Sequence, residues 1–338
     1  MMELLNSNSR ELEEHWVDLK RQREYFARHN GRLEVQGHEA KVHAVGWSCC
    51  GTRLATGSFD RTVSIYNVDN ETAVGGLQNK VVANCKGHDE SVDQLCWHPH
   101  NQNLLITAST DKTVKMWDAR INRCVHSKTT KGENINVTWS SDGKSIAIGN
   151  KDDLITFIDA ESFEIVKEHS CKIEVNEISW NRCSDLFFMS NGHGCIDILR
   201  YPDLEFVQSL KAHPANCICL KFDLTGKYFA TGSADALVSL WDTDELVCLR
   251  TFSRLDWPVR TVSFSYDSRL LASGSEDLAI DISHIQTGEH VAEVGCNAPT
   301  FAVAWSPNKP LLAFACDDKD KHDRDAGTVQ IYGLSSRK

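Results

Sequence analysis

An aromatic residue ends a short apolar strand seven times along this chain, at a nearly constant spacing. The seven residues are Trp47, Trp97, Trp139, Trp180, Phe222, Phe264 and Trp305. The gaps between them are 50, 42, 41, 42, 42 and 41 residues. A period of this length is typical of proteins that repeat one small structural unit. The sequence therefore predicts seven copies of such a unit from about residue 32 onward.

Within a unit, the pattern of apolar residues predicts four short strands. The stretch "GHDESVDQLCWHPHNQNLLITASTDKTVKMWD" contains an alternating apolar strand, a second strand, a tight turn with an Asp, and a third strand. A fourth strand follows each unit, as "KVVANCKGH" does ahead of this one. A single four-stranded sheet exposes both faces and both edges, so the units are expected to stack around an axis.

Gly-His near the start of a unit and Trp-Asp at its end resemble the WD-repeat β-propeller family. The resemblance and the seven units imply an all-β fold, a seven-bladed WD-repeat β-propeller, and a short N-terminal helical extension precedes it. We expect the extension at 1–31, the propeller at 32–334 and a tail at 335–338. By family habit, residues 32–36 supply the outer strand of the last blade.

Histidine, threonine and aspartate recur at fixed places in three units, with a closing aromatic. In WD propellers such sets form a structural hydrogen-bond network from Trp through Thr and His to Asp, because buried polar groups must be paired. The set is interpreted as structural rather than catalytic. Its members are His38, Thr56 and Asp60, with Tyr66 in the Trp place; His88, Thr107, Asp111 and Trp117; and His213, Thr231, Asp235 and Trp241.

Three units depart from this set. The third has Gly132-Glu133 where Gly-His is expected, the fourth places His193 in the turn, and the sixth ends in Ser283 instead of Trp. We expect these blades to depend on apolar packing alone.

The segment "NSRELEEHWVDLKRQREYFARHNG" predicts a helix that starts at Asn8 or Ser9 and stops at Asn30-Gly31. Its apolar residues are expected on one stripe. They are Leu12, Trp16, Leu19 and Phe26. Two interpretations stay open: the helix packs on the side of the propeller or is partly disordered, or it binds a partner with Trp16 as the anchor.

Composition excludes several classes of function. A net charge of −11 argues against a self-sufficient binder of nucleic-acid phosphates. The thirteen cysteines include no C-x-x-C pair, so we expect buried small side chains in a reducing compartment and neither zinc nor disulfides. The charged N-terminus and the absence of a long apolar run predict neither a signal peptide nor a membrane span. No cofactor, small-molecule substrate or catalytic residue is predicted.

An acidic stretch, "DDKDKHDRDA", joins the second and third strands of the last unit. Counted from Asp318, its spacing does not fit a calcium-binding EF-hand loop, since the sixth residue is not Gly and the twelfth is not Glu. We expect residues 317–326 to form a solvated loop, with a contact to a basic partner or a metal site as the alternatives.

Blocks such as "AHPANCICLKFD", "SRLDWPVRT" and "PTFAVAWSPNKPLLAFACDDKD" resemble the THO complex subunit 3 family, and similar blocks lie in all seven units. The resemblance implies a non-catalytic nuclear scaffold in the THO/TREX complex, which couples transcription and splicing to messenger RNA packaging and export. The implied partners are other THO subunits and, through them, the TREX RNA helicase and the export adaptor, with RNA contacted weakly or indirectly. A generic nuclear WD adaptor for a ubiquitin ligase or a chromatin complex is the alternative.

WD propellers often bind partners through three positions per blade on one face. Counting from the first-strand aromatic and the turn Asp gives a chemically mixed ring, without a basic track. Trp257 is expected either to be exposed beside Arg260 as an interaction hot spot or to be buried between blades. The candidates for partner binding are Trp16, Lys41, His43, Phe59, Asp93, Asn176, Trp257, Arg260 and Phe301.

Overall fold

The computed structural model describes residues 2–68, 81–317 and 327–335, with side chains from residue 13 onward apart from that of Val81. Helix α1 spans Met2–Arg28. It therefore begins ahead of Asn8 and Ser9, so the predicted start was wrong. In this described part, no helix is both long and apolar enough to cross a membrane.

The strands of the described residues form seven four-stranded antiparallel sheets, which confirms the predicted seven-bladed propeller. The first four blades are β2 Val42–Trp47, β3 Arg53–Ser58, β4 Thr62–Asn67 and β5 Val81–Lys86; β6 Val92–Trp97, β7 Leu104–Ser109, β8 Thr113–Asp118 and β9 Arg123–Thr129; β10 Asn134–Trp139, β11 Ser145–Asn150, β12 Leu154–Asp159 and β13 Ile165–Ser170; and β14 Val175–Trp180, β15 Leu186–Asn191, β16 Cys195–Arg200 and β17 Glu205–Lys211. The fifth and sixth are β18 Cys217–Phe222, β19 Tyr228–Ser233, β20 Val238–Asp242 and β21 Cys248–Phe252; and β22 Val259–Phe264, β23 Leu270–Ser275, β24 Ala279–His284 and β25 His290–Gly295.

The seventh blade is built from both ends of the chain. Strands β26 (Thr300–Trp305), β27 (Leu312–Cys316) and β28 (Thr328–Leu334) are followed in the sheet by β1 (Gly31–Gln36), which pairs antiparallel with β28. Val35 lies opposite Val329, and both are buried. Without β1 the seventh blade would have three strands, so this pairing completes the blade and joins the two ends of the chain.

The two faces of the ring carry different turns. We call upper the face that carries the turns between second and third strands together with the connections between blades. The lower face carries the turns between first and second and between third and fourth strands. Each inner strand runs from the upper to the lower face, so its closing aromatic lies near the lower one.

The recurrent tryptophans join neighbouring blades. The indole Nε1 of Trp97 donates to the carbonyl oxygen of Gly46 in the preceding blade at 2.9 Å. Trp139 donates in the same way to Cys96 at 3.2 Å, and Trp47 to Ala304 across the closure at 3.0 Å. All three rings are buried. At these three junctions the recurrent aromatic therefore packs its apolar body between blades and has its N–H paired, whereas the buried N–H groups of Trp180 and Trp305 have no such partner among the described residues.

The polar set of the second blade forms one connected chain of hydrogen bonds. Trp117 Nε1 donates to Thr107 Oγ1 at 2.9 Å, and Thr107 Oγ1 lies 2.7 Å from His88 Nε2. His88 Nδ1 lies 2.7 Å from Asp111 Oδ2. Since the ionised carboxylate only accepts, His88 donates to it through Nδ1. The chain links the second and third strands, the turn between them and the loop before the blade.

The fifth blade contains the same bonds, and the first contains the two bonds made by its histidine. His38 lies 2.7 Å from Thr56 and 3.0 Å from Asp60, and Tyr66 is buried in the Trp place. In the fifth blade His213 lies 2.9 Å from Thr231 and 3.0 Å from Asp235, while Trp241 donates to Thr231 at 3.3 Å.

The third, fourth and sixth blades do not depend on apolar packing alone, so the expectation for these three blades was wrong. In the third, Asn150 Oδ1 accepts the backbone N–H groups of Asp152 and Leu154 at 3.0 and 2.9 Å. In the fourth, Asn191 holds the turn of His193 in the same way and also donates to Asp197. The asparagine ends the second strand, so its side-chain oxygen accepts a backbone N–H group of the turn that the turn Asp accepts in the first, second and fifth blades.

The sixth blade replaces the histidine chain with a different polar cluster. Asp281 is only 5% exposed and accepts from Arg254 Nε at 2.8 Å. It also contacts His290 at 2.9 Å and accepts from Ser283 at 2.5 Å. These partners compensate the buried carboxylate, which would otherwise be costly in the interior.

Helix α1 packs along β25 and over the junction of the sixth and seventh blades. Leu19 and Phe26 are 1% and 2% exposed. The Phe26 ring stacks on Tyr332 at a centroid distance of 5.9 Å and meets Trp305 at 6.0 Å. On the lower face, Asp18 pairs with Arg269 at 2.9 Å and contacts His284 at 3.2 Å. The helix is therefore part of the packed molecule.

We predict that Asp111→Ala lowers the free energy of unfolding by about 2–3 kcal/mol, because His88 and two backbone donors lose their acceptor. Burial opposes ionisation of Asp111, but hydrogen bonds from His88 and Thr113 outweigh it and hold the pKa of this carboxyl well below its usual range. This contribution is therefore present above pH of about 4 and is lost as the pH falls below it. Urea unfolding between pH 7 and 2 measures both effects. Asp152→Ala is the matched control, because Asn150 holds that turn, and an equal loss in the control would contradict the prediction.

Phe26→Ala is expected to destabilise the protein by about 3 kcal/mol, because a large ring leaves a core shared by the helix and two blades. Trp16→Ala on the same helix removes a ring that is 52% exposed and is expected to change stability by less than about 0.5 kcal/mol. Thermal and urea unfolding of both variants check the difference. Similar values for the two would show that α1 is not docked as described.

Candidate partner-binding surface

The positions counted from the sequence lie at the upper ends of the inner strands or in the adjacent turns and connections. Lys41 and Trp257 lie in connections between blades, and Phe59 lies in the turn after β3. The others lie on inner strands and are partly exposed: His43, Asp93, Asn176, Arg260 and Phe301. They do not share one environment around the ring, since their partners differ from blade to blade.

Phe301 lies between two cations. The Lys41 ammonium lies 4.0 Å from the centre of the ring, and the Arg260 guanidinium lies 5.9 Å from it. Lys41 also pairs with Asp317 at 3.0 Å, and Arg260 pairs with Glu276 at 2.5 Å. The two ion pairs and the two cation–π contacts connect the sixth, seventh and first blades, so these side chains are held in place before a partner binds.

Trp257 is 56% exposed, so it is not buried between blades, which was the second of the two expectations for this residue. Its backbone N–H donates to Asp277 Oδ2 at 3.2 Å, and the N–H of Asp256 donates to the same oxygen at 3.0 Å. Leu255 occupies the place of the missing histidine and is buried. The turn aspartate of the sixth blade therefore fixes the loop that presents Trp257 to solvent.

Two further apolar side chains are exposed in the same region. Phe59 is 63% exposed, and its ring lies 6.3 Å from that of His43. Leu278 follows Asp277 and is 58% exposed. Exposed aromatic residues beside an arginine are typical of interaction hot spots. We call the following residues the upper-face cluster: Lys41, Phe59, Trp257, Arg260, Leu278 and Phe301.

Asp93 and Asn176 lie away from this cluster and are engaged within the propeller. Asp93 accepts the hydroxyl of Ser91 at 2.7 Å. The Asn176 amide donates to Asn216 at 2.7 Å and to the carbonyl of Cys217 at 3.0 Å. Asn176 therefore joins the fourth and fifth blades, and we do not include it in the proposed surface.

Trp16 does not share the stripe of Leu19 and Phe26, so the predicted single stripe was wrong. It is 52% exposed while both others are buried. Leu12 belongs to the residues whose side chains are not described. Burial of the helix against β25 selects a face that is rotated away from Trp16. The exposed ring keeps Trp16 as a candidate contact on the outer side of the helix.

Sequence reasoning missed a polar cluster on the inner strands. Gln94 Nε2 donates to Glu177 Oε1 at 3.0 Å, and Lys221 Nζ lies 3.6 Å from Glu177 Oε2. The surrounding protein atoms oppose the charge on Lys221, although its side chain is 46% exposed, but the Glu177 carboxylate raises the pKa of its ammonium above the usual value. The sequence contained a signal: Gln94 and Glu177 stand three residues before Trp97 and Trp180, where the first, fifth and seventh blades have Ala44, Cys219 and Ala302. The cluster ties the second, fourth and fifth blades together.

Most of the thirteen cysteines are not buried, so the expectation that they are buried was wrong. Cys124 and Cys248 are exposed because they lie on outer strands, and Cys183 is exposed in a turn. Over the described ranges, no three His, Cys, Asp or Glu side chains are placed to hold one metal ion. The acidic stretch 318–326 and the glycine-containing stretch 69–80 lie outside the described residues.

Comparison with known proteins agrees with the fold and with the motifs. The family model of the THOC3 β-propeller domain matches residues 38–315. The chain is 46% identical over 304 residues to THO complex subunit 3 of Arabidopsis thaliana, covering 90% of this chain and 95% of that protein. It is 33% identical over 322 residues to the WD repeat-containing protein AAC3 of Dictyostelium discoideum, covering 89% and 66%.

A more distant relative is the WD repeat-containing protein 26 homolog of Arabidopsis thaliana, with 24% identity over 318 residues. The resemblance found in the sequence is confirmed by the family match and by the identity over nearly the whole chain. This chain belongs to the THO complex subunit 3 family of WD-repeat β-propellers.

Proposed function

We propose that this protein is a non-catalytic scaffold subunit of the THO complex, where it binds other THO subunits. The observation that carries the proposal is the 46% identity to a THO complex subunit 3 over 90% of the chain. Within that complex, its role would be to couple transcription and splicing to the packaging and export of messenger RNA from the nucleus. The TREX RNA helicase and the export adaptor would be reached through the other subunits.

The geometry supports a scaffold because the recurring His, Thr and Asp sets are used within the blades. His88 and His213 are 6% and 7% exposed, and both ring nitrogens of each have partners in their own blade. What the molecule offers to solvent is instead a fixed group of aromatic, aliphatic and charged side chains. We infer that the upper-face cluster is the docking surface for another THO subunit.

Trp257→Ala is expected to weaken binding to the other THO subunits by roughly 30-fold, as truncation of an interface tryptophan typically costs about 2 kcal/mol. Ile121→Ala is the matched control, because Ile121 is also 56% exposed but lies in a lower-face turn of the second blade. Affinities are measured with purified subunits by interferometry. Equal affinities for wild type and Trp257→Ala would remove the upper-face cluster from the proposal.

Direct binding to RNA is expected to be weak and steeply dependent on salt. The net charge is −11, and the described cations of the upper-face cluster already pair with Asp317 and Glu276. Filter binding of a single-stranded RNA at 50 and 200 mM salt measures this. Tight binding that persists at the higher salt would contradict an indirect RNA contact.

Affinity purification from nuclear extract tests the function as a whole. We expect the large THO subunits to be recovered together with this chain. Recovery of a ubiquitin ligase core or a chromatin enzyme in their place would favour the generic adaptor and would overturn the assignment.

A further inference from the structure

Each outer strand of the first six blades contains one β-bulge, and the extra residue is aliphatic in every case. A bulge residue has no partner opposite it in the neighbouring strand, so the outer edge is bent there and its pairing interrupted. The six residues are Val82, Val125, Val166, Val207, Leu249 and Val291. The first five are between 40% and 57% exposed, whereas Val291 is 7% exposed.

Helix α1 is the reason that Val291 is buried. Leu19 and Phe26, seven positions apart, belong to the same apolar cluster as Val291. Arg23 lies between them, and its Nε donates to the carbonyl oxygen of His290 at 2.7 Å. Its guanidinium also lies 3.6 Å from Glu289. The chain itself therefore demonstrates how an amphipathic helix covers a bulged outer edge.

The fourth blade repeats the covered edge at the same register. Phe206 lies opposite Leu199 as His290 lies opposite Ser283, and the extra residue follows in both strands. Glu205, Phe206 and Val207 correspond to Glu289, His290 and Val291. The acid that meets Arg23 in the sixth blade thus has an equivalent in the fourth, next to a larger apolar side chain.

This edge is exposed in the described structure. Phe206 is 64% exposed, the highest value among the large apolar side chains described, and Val207 is 41% exposed. Two adjacent apolar side chains on an unpaired outer strand are a liability unless something covers them.

The other edges match the sixth blade less well. The residue equivalent to Glu289 is Arg123 in the second blade and Val247 in the fifth, so neither blade offers a carboxylate to a cation on a helix. In the third blade this residue is Glu164, but it already pairs with Lys128. The fourth blade combines a carboxylate at this place, that of Glu205, with the exposed side chains of Phe206 and Val207.

We propose that the edge formed by Glu205, Phe206 and Val207 binds an amphipathic helix of another subunit. The helix has two large apolar residues seven positions apart, with an arginine or lysine four positions after the first, as in Leu19, Arg23 and Phe26. A partner helix is required because α1 of this chain is already packed against the sixth blade, and so is α1 of any second copy. The identity of the partner as a THO subunit rests on the proposed function.

The test uses the full chain assembled with the purified THO subunits. Hydrogen exchange is measured by mass spectrometry over 205–211, in the free chain and in the assembly. We expect exchange of this strand to slow at least tenfold on assembly. Phe206→Asp combined with Val207→Asp is expected to weaken assembly at least tenfold without a change in Tm. Val166→Asp, at the bulge of the third blade, is the matched control and is expected to assemble normally.

A photoreactive amino acid at position 206 identifies the occupant. Cross-links to a helical segment with the stated spacing of apolar and basic residues support the proposal. Cross-links to residues 13–29 of a second copy, or to a segment without that pattern, overturn it. Assembly with unchanged exchange over 205–211 overturns this inference alone. If the wild-type chain does not assemble with THO subunits, the proposed function fails and this inference fails with it.

Discussion

The antiparallel pairing of Gly31–Gln36 with Thr328–Leu334 is the contact on which the rest of the ring depends. A row of packed sheets leaves one sheet face uncovered at each end, and this pairing between residues separated by almost the whole chain holds the two ends of the row together. Closure also brings Trp47 against the carbonyl of Ala304, which repeats between the last and first blades the contact seen at other junctions. Helix α1 then covers the junction of the sixth and seventh blades with Leu19 and Phe26. Both ends of the chain therefore converge on one sector of the molecule.

That sector also carries the upper-face cluster. Lys41 lies on the loop before the first blade, Phe301 in the seventh and Arg260 in the sixth, so the cluster exists only once the ring has closed. Its rigidity comes from paired charges and from Asp277, which holds the Trp257 loop. A surface held in this way loses little conformational freedom on binding, which favours affinity and specificity. The exposed edge of the fourth blade lies in a different sector, so two partners could be bound at once.

The blades pair the same backbone groups with different polar side chains. The turn before the third strand leaves backbone N–H groups that need acceptors, and an unpaired buried donor is expensive. Asp60, Asp111 and Asp235 provide the acceptor together with a histidine, whereas Asn150 and Asn191 provide it from the end of the second strand. The sequence contained these asparagines, but their role depends on the distance between the strand end and the turn. This is why a motif search finds three networks and misses the substitutes.

The number of blades, the strand order within each and the family could be predicted from the sequence alone, because a spacing of 41 or 42 residues and the Gly-His and Trp-Asp motifs are local and repeated. The sequence also identified the histidine networks, since each of them lies within one repeat. Which large side chains are exposed could not be predicted in this way, because it depends on the folded ring. Trp257 and Phe206 are exposed and Phe26 is buried, although all three are large and aromatic. Trp16 and Leu19 are separated by less than one turn of helix, yet docking on β25 buries only one of them. Exposure depends on which distant segment covers a residue, and that follows from how the ring closes rather than from the local pattern of the chain.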